Sequence, residues 1–143
     1  MENSDRLAAF LERMKREGKR LTPQRLAIVK AVMAHGGHPT VEQIHREIRE
    51  AYPTTSLATV YKTVGLLKEE GEVLELEFGE RGNRYDGMRP KPHPHMVCTG
   101  CGKILDLELA GLEEDVARLG RETGFEVESH RLDIFGLCPE CRK

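Results

Sequence analysis

No stretch of the 143 residues is apolar for long enough to cross a membrane, only 5% of them are aromatic and 32% are charged, a balance that excludes a membrane span and points to a soluble protein. Bulk is limited as well. A chain of this length makes one core or two small lobes, and neither lobe alone buries much apolar surface. The charged first residues lack a signal-peptide pattern, so a cytoplasmic location is expected. Cysteine is scarce, and all four copies fall in two close pairs, which leaves no spare thiol for nucleophilic catalysis and suits a reducing compartment. Nor is there a large net charge: a value of −2 speaks against nucleic-acid binding on average. The average hides a gradient. Residues 1–30 hold eight Lys or Arg against four acids, whereas residues 87–143 hold eight against ten, so one end is suited to phosphate and the other is not. A basic helix with interspersed acids is equally a solvated face.

The chemistry-bearing residues are concentrated between His93 and Cys141. Cys98 and Cys101 form one CxxC pair, and Cys138 and Cys141 form another. Each two-residue gap lets a short turn present both sulfurs to one ion, so the four thiolates are expected to close a tetrahedral, structural Zn²⁺ site with no open position. Gly102, just after the first pair, is expected where a turn passing a metal has little room for a side chain. Two disulfides would suit a small secreted protein, and an iron–sulfur centre also takes four thiolates. The histidines and carboxylates nearby favour zinc with a second metal site.

In chain order, Leu7, Phe10, Leu11 and Met14 recur at helical spacing, predicting an amphipathic helix over 5–17 capped by Ser4 and stopped at Gly18. Thr22-Pro23 opens a second helix with Leu26, Val29, Val32 and Met33 inward. Thr40 and Gln43 form a capping box for a third, with Ile44 and Ile48 inward. Ser56 starts a fourth, with Leu57, Val60, Val64 and Leu67 inward and Gly71 closing it. The period then becomes alternating through Leu74, Leu76 and Phe78, and a turn from Gly79 to Asn83 leads into Arg84-Tyr85-Asp86. Helices followed by a hairpin describe a winged helix-turn-helix, with the helix at 56–70 suited to the major groove. Ser56, Thr59, Tyr61, Lys62 and Thr63 offer its polar face, and Arg20 and Arg25 suit backbone phosphates. The same pattern also fits a helical lobe that never meets DNA, and Tyr61 also fits packing against a neighbouring helix.

Pro90, Pro92 and Pro94 make a stiff connector. The expected organisation is α+β: a winged-helix DNA-binding domain at 1–86, a hinge at 87–94, and a small α/β dimerisation and zinc-binding domain at 95–143. The last contains strands around 95–98 and 104–107, a helix at 111–122 and further strand from Phe125 to Phe135. So small a lobe needs zinc, and pairing with a second copy would add stability. His93 and His95 alternate along an extended segment, so both imidazoles can reach one ion, and Asp106 follows on the next strand. His38 and Asp86 sit at the edges of the first domain. Each also has a plain structural role to play: His38 packing beside Pro39, Asp86 accepting backbone hydrogen bonds, Asp106 pairing with a surface base.

Taken in order, LTPQR at 21–25, HPT at 38–40, SLATVYKT at 56–63, RYD at 84–86, HPHMVCTGCGKILDL at 93–107 and HRLDIFGLCPEC at 130–141 resemble the ferric uptake regulator superfamily along nearly the whole chain. The resemblance implies a homodimeric, metal-dependent transcriptional repressor that binds double-stranded operator DNA and is not an enzyme. It implies Cys98, Cys101, Cys138 and Cys141 as structural zinc ligands, and His38, Asp86, His93, His95 and Asp106 as ligands of a regulatory ion. Aspartate rather than glutamate at 86 and 106 resembles the peroxide-sensing PerR-like branch, in which bound Fe²⁺ lets hydrogen peroxide oxidise a ligating histidine, here His38 or His93. Mn²⁺ would occupy the same site and react poorly. Glu113 and His130 match two positions of an additional site of iron-uptake regulators, but Pro92 and Pro94 stand where that site takes its other ligands. The alternatives are an iron-uptake regulator or a zinc, manganese or nickel sensor of the same superfamily, and a structural zinc module for protein association. A metal-dependent hydrolase lacks a general base outside the proposed ligands.

Overall fold

The computed structural model describes residues 3–78 and 82–143 and divides into two compact units, Met1–Lys91 and Pro92–Lys143. The first unit is a winged helix-turn-helix. Helix α1 (Asn3–Arg16) is followed by α2 (Pro23–Ala34), α3 (Val41–Arg49) and α4 (Leu57–Glu69), and then by the antiparallel hairpin β1 (Leu74–Glu77) and β2 (Asn83–Asp86). Three helix starts use the expected side chains. Thr22 Oγ1 accepts from the Arg25 amide with Pro23 at the first turn, Thr40 and Gln43 close a reciprocal capping box, and Ser56 Oγ accepts from the Thr59 amide. Ser4, expected as a cap, lies within α1. The start of the hairpin turn, residues 79–81, lies outside the described residues.

Phe10, Ile28, Val32, Ile44, Val60 and Leu67 are among the side chains closing the core of this unit. Two inward positions differ from the pattern. Ile28 is fully buried in place of the half-buried Leu26, and Leu57 is exposed while Thr63 is buried. Helix α2 packs against α1, α3 and α4, so no single stripe of it defines the interior. Thr63 tolerates burial because its hydroxyl donates to the Thr59 carbonyl one turn earlier at 2.8 Å, which removes it from the polar face available to a ligand.

The basic first thirty residues are also less free than their composition suggests. Arg6 pairs with Glu72 at 3.0 Å, Arg13 with Glu70 and Glu72 at 3.0 and 3.1 Å, and Lys19 with Glu70 at 2.9 Å. These pairs tie α1 to the turn between α4 and the wing. Part of the excess positive charge is therefore neutralised internally.

In the second unit, β3 (His95–Cys98) is the central strand, with β4 (Ile104–Asp106) antiparallel on one side and β5 (Asp133–Gly136) parallel on the other. Helix α5 (Leu112–Thr123) ends at Gly124, whose φ of 76° is the left-handed conformation a helix C-terminus takes most easily with glycine. The strand expected from Phe125 begins only at Asp133, because β3 offers pairing partners only from that register onward. Val97 and Cys98 are the buried hydrophobic side chains of this unit among the described residues, whereas Phe125 is 76% exposed and Phe135 58%.

Candidate metal centres

The four cysteines converge. One sulfur from each of Cys98, Cys101, Cys138 and Cys141 lies within 4.8 Å of all the others, and the Cys101 and Cys138 sulfurs are 3.8 Å apart. Zinc–sulfur bonds in a regular tetrahedron separate neighbouring sulfurs by about 3.8 Å, whereas a disulfide requires about 2.05 Å. The cysteines are free thiols, so the disulfide alternative does not describe them. Local backbone prepares the site. The amides of Cys101 and Cys138 donate to the Cys98 sulfur at 3.5 and 3.3 Å, and these bonds, that of Cys101 first, hold the Cys98 thiol down at about 5. Cys141 is pushed up to about 12, foremost by its hydrogen bond with the Cys138 sulfur, since crowded sulfurs resist a second negative charge. A divalent cation reverses that repulsion.

The glycines divide the labour differently from expectation. Gly102 is required for its φ of 79°, which closes the knuckle turn, while the close approach is at Gly100, where a Cβ would stand 3.0 Å from the Cys141 sulfur.

The second unit also gathers His93, His95 and Asp106. Asp106 lies directly across the ladder from His95, and its Oδ1 stands 2.8 Å from His93 Nε2 and 3.3 Å from His95 Nε2. The two imidazole rings are 4.4 Å apart, and both side chains are nearly sealed from solvent, at 5% and 1% exposure. Two nitrogens and one carboxylate oxygen thus meet at one point, the hard nitrogen–oxygen donor set suited to a divalent first-row ion.

The first unit brings His38 and Asp86 together, with Nε2 and Oδ2 3.4 Å apart and both side chains buried. Strand β2 builds this pair. It ends in Asp86, its Tyr85 amide donates to the Pro39 carbonyl at 2.9 Å, and the Arg84 guanidinium donates to the His38 carbonyl. Asp86 Oδ1 receives the amides of Met88 and Arg89 at 3.0 and 2.8 Å, so the carboxylate does accept backbone hydrogen bonds, and these orient Oδ2 toward His38. Gly87 is obligatory next to it, since a Cβ there would lie 2.3 Å from the Val32 carbonyl oxygen.

On α4, Ser56 is used by the cap, Thr59 is half-buried, and Tyr61 and Lys62 are exposed. The Tyr61 hydroxyl donates to Glu42 on α3 at 2.9 Å, a contact with a neighbouring helix as its alternative reading expects, though through the hydroxyl and with the residue still exposed. Arg20 is exposed and Arg25 half-buried. Glu113 and His130 line one open groove beside α5. Sequence reasoning also missed Asp133, which lies across the ladder from His95 on the side opposite Asp106.

Residues 16–135 match the model of the ferric uptake regulator family. The chain belongs to the ferric uptake regulator family. Members of this family are transcription factors and not catalytic enzymes. The chain is 40% identical over 137 residues to the peroxide operon regulator of Bacillus subtilis (strain 168), covering 96% of this chain and 94% of that protein, which places it with the PerR branch. It superposes on the ferric uptake regulator of Helicobacter pylori, described with three functional metal-binding sites, with a TM-score of 0.86 and 26% identity over 100% of this chain and 95% of the other. The Campylobacter jejuni peroxide stress regulator gives a TM-score of 0.70 at 34% identity, covering 99% and 100% of the two chains. Among the described residues, no helix is long and apolar enough to cross a membrane.

Proposed function

We propose that this chain is a cytoplasmic, homodimeric repressor that binds double-stranded operator DNA when a regulatory Fe²⁺ or Mn²⁺ is bound, and that hydrogen peroxide relieves repression through the iron form. The observation that carries the reading is the convergence of His93, His95 and Asp106 around one point, together with Asp86 held toward His38 at the end of the wing. The ion is proposed to take all five residues as ligands, three imidazoles and two carboxylates, and the four cysteines to hold a separate structural Zn²⁺. Similarity to the Bacillus subtilis peroxide operon regulator supports the choice of signal. Dimerisation is supported by the apolar surface left open on the second unit, including Leu105, Leu119, Phe125, Phe135 and Leu137.

Bound Fe²⁺ supplies the redox chemistry with peroxide, and the net change is one peroxide oxygen entering an imidazole C–H bond of His38 or His93 while water leaves. The protein's part is to present those rings at close range and to exclude bulk solvent. His38 is joined to the wing through Arg84 and the Pro39–Tyr85 bond, so losing its lone pair weakens the hold of the ion on the DNA-binding unit. In an operator-binding titration, Fe²⁺ and Mn²⁺ should each restore binding to metal-stripped protein, and brief peroxide exposure should abolish it for the iron form alone. Iron-dependent binding that ignores peroxide would leave an iron-concentration gauge instead.

DNA contact is assigned to Arg20, Arg25, Ser56, Thr59, Tyr61 and Lys62. Lys62→Ala and Arg20→Ala should weaken operator binding across sequences and lower the salt dependence by about one ion each, while Tyr61→Phe should weaken it by freeing the ring from Glu42. Metal content should be unchanged in all three. Normal binding by these variants would displace α4 from the major groove.

A further inference from the structure

His95 occupies the central strand with a carboxylate directly across the ladder on each side, Asp106 on β4 and Asp133 on β5. The ring therefore lies between two acids. Nε2 is 3.3 Å from Asp106 Oδ1, and Nδ1 is 3.3 Å from Asp133 Oδ1. The Asp133 side chain is only 9% exposed, and its Oδ1 is buried without a hydrogen bond of good geometry, so the adjacent imidazole is the group positioned to satisfy it. Its other oxygen, Oδ2, receives the Arg131 guanidinium, which fixes the carboxylate plane from outside. Asp133 faces the ring edge opposite Nε2, and it cannot share an ion held there.

We propose that Asp133 is a positioning residue for the regulatory site, accepting the Nδ1–H of His95 and thereby keeping Nε2 as the nitrogen that offers its lone pair to the ion. The inference rests on the reading that His93, His95 and Asp106 hold that ion. A neutral imidazole carries one ring proton, and the wrong tautomer would point it at the ligand position. Asp106 competes for that proton from the Nε2 side, but its Oδ1 is shared with His93 at 2.8 Å and its side chain is 27% exposed. Asp133 is more deeply buried, and a small rotation of the ring converts its 3.3 Å approach into a charge-assisted hydrogen bond. With the proton on Nδ1, the Nε2 lone pair meets the ion without a change of tautomer. The carboxylate also raises the basicity of the ligating nitrogen, and removing such a partner commonly weakens metal binding by about 10- to 100-fold.

The test uses the full-length protein with its cysteine site loaded with zinc. Nitrogen-15 ring spectra of the wild type, taken before Mn²⁺ is added, should show the His95 proton on Nδ1. Asp133→Ala should mix the tautomers and weaken Mn²⁺ binding by about 10- to 100-fold. Asp133→Glu should recover a large part of both, and zinc content should be unchanged. A wild-type His95 proton on Nε2 alone overturns the proposal, as does an Asp133→Ala protein that binds Mn²⁺ as tightly as wild type. If the variants fail to fold, the wild-type spectrum decides by itself. If wild type binds no Mn²⁺ and the His93 and His95 signals are not broadened by it, the regulatory-site reading fails, and this role fails with it. Wild-type binding that is unaffected in Asp133→Ala overturns the positioning role alone.

Discussion

Cys98→Ser or Cys138→Ser is expected to remove zinc and unfold the second unit in one step, leaving a helical first unit that no longer dimerises. The expectation follows from how little else holds residues 92–143 together. Val97 and Cys98 are its buried hydrophobic side chains among the described residues, so the apolar interior is small. Structural zinc contributes roughly 10–16 kcal/mol of apparent binding free energy in small peptides, and in a unit of this kind that is also folding free energy. Cys98 is the more sensitive of the first pair. It is buried and its sulfur accepts two amide bonds that a hydroxyl oxygen, on its shorter bond to carbon, would not meet at the same length, whereas Cys101 is exposed. Metal analysis, circular dichroism and sedimentation on the same samples check this. A zinc-free dimer with an unchanged unfolding midpoint would overturn the structural role.

The second large effect separates geometry from mere ligand count. Asp106→Ala should abolish tight binding of the regulatory ion, because one oxygen of Asp106 serves both His93 and His95. Asp106→Glu should keep metal-dependent operator binding and lose most of the peroxide response, since one added methylene moves the carboxylate relative to two buried rings and would change the donor geometry offered to the ion. Peptide mass spectrometry supplies the independent readout. After peroxide, the wild-type iron form should carry one added oxygen, about 16 Da, on a peptide containing His38 or His93, and the manganese form should carry little. Release of DNA without histidine oxidation would sink the mechanism, and a fully peroxide-responsive Asp106→Glu protein would sink the part assigned to carboxylate length.

Local chemistry made much of this molecule readable from its residues. The Thr40–Gln43 capping box, Thr22-Pro23 and the Ser56 helix start each involve neighbours within a turn, and each appears where the pattern places it. The two cysteine pairs were equally legible, because their spacing already encodes a knuckle. Three features were not. Ile28 is buried because α2 meets three other helices, which no one-face pattern describes. The stretch after Phe125 has the composition of a strand but pairs only from Asp133, where β3 begins to face it. Asp133 itself carries no local signal, since its place beside His95 depends on the register of a parallel pair contributed by distant parts of the chain.

Strand β2 has a bearing on how such a chain tolerates changes of length. It carries Asp86 at its end, places Tyr85 in the core of the first unit, and fastens the His38 segment through Arg84 and the Pro39 carbonyl. Side chains alternate along a strand, so one residue inserted ahead of Tyr85 would carry Tyr85 and Asp86, both buried but on opposite faces, each to the wrong face. Tyr85 would leave the core in the same event that turned Asp86 from His38. An insertion within β2 is therefore expected to cost the first unit its folding before any effect on the His38–Asp86 pair could be read, whereas one outside β2 leaves both in place.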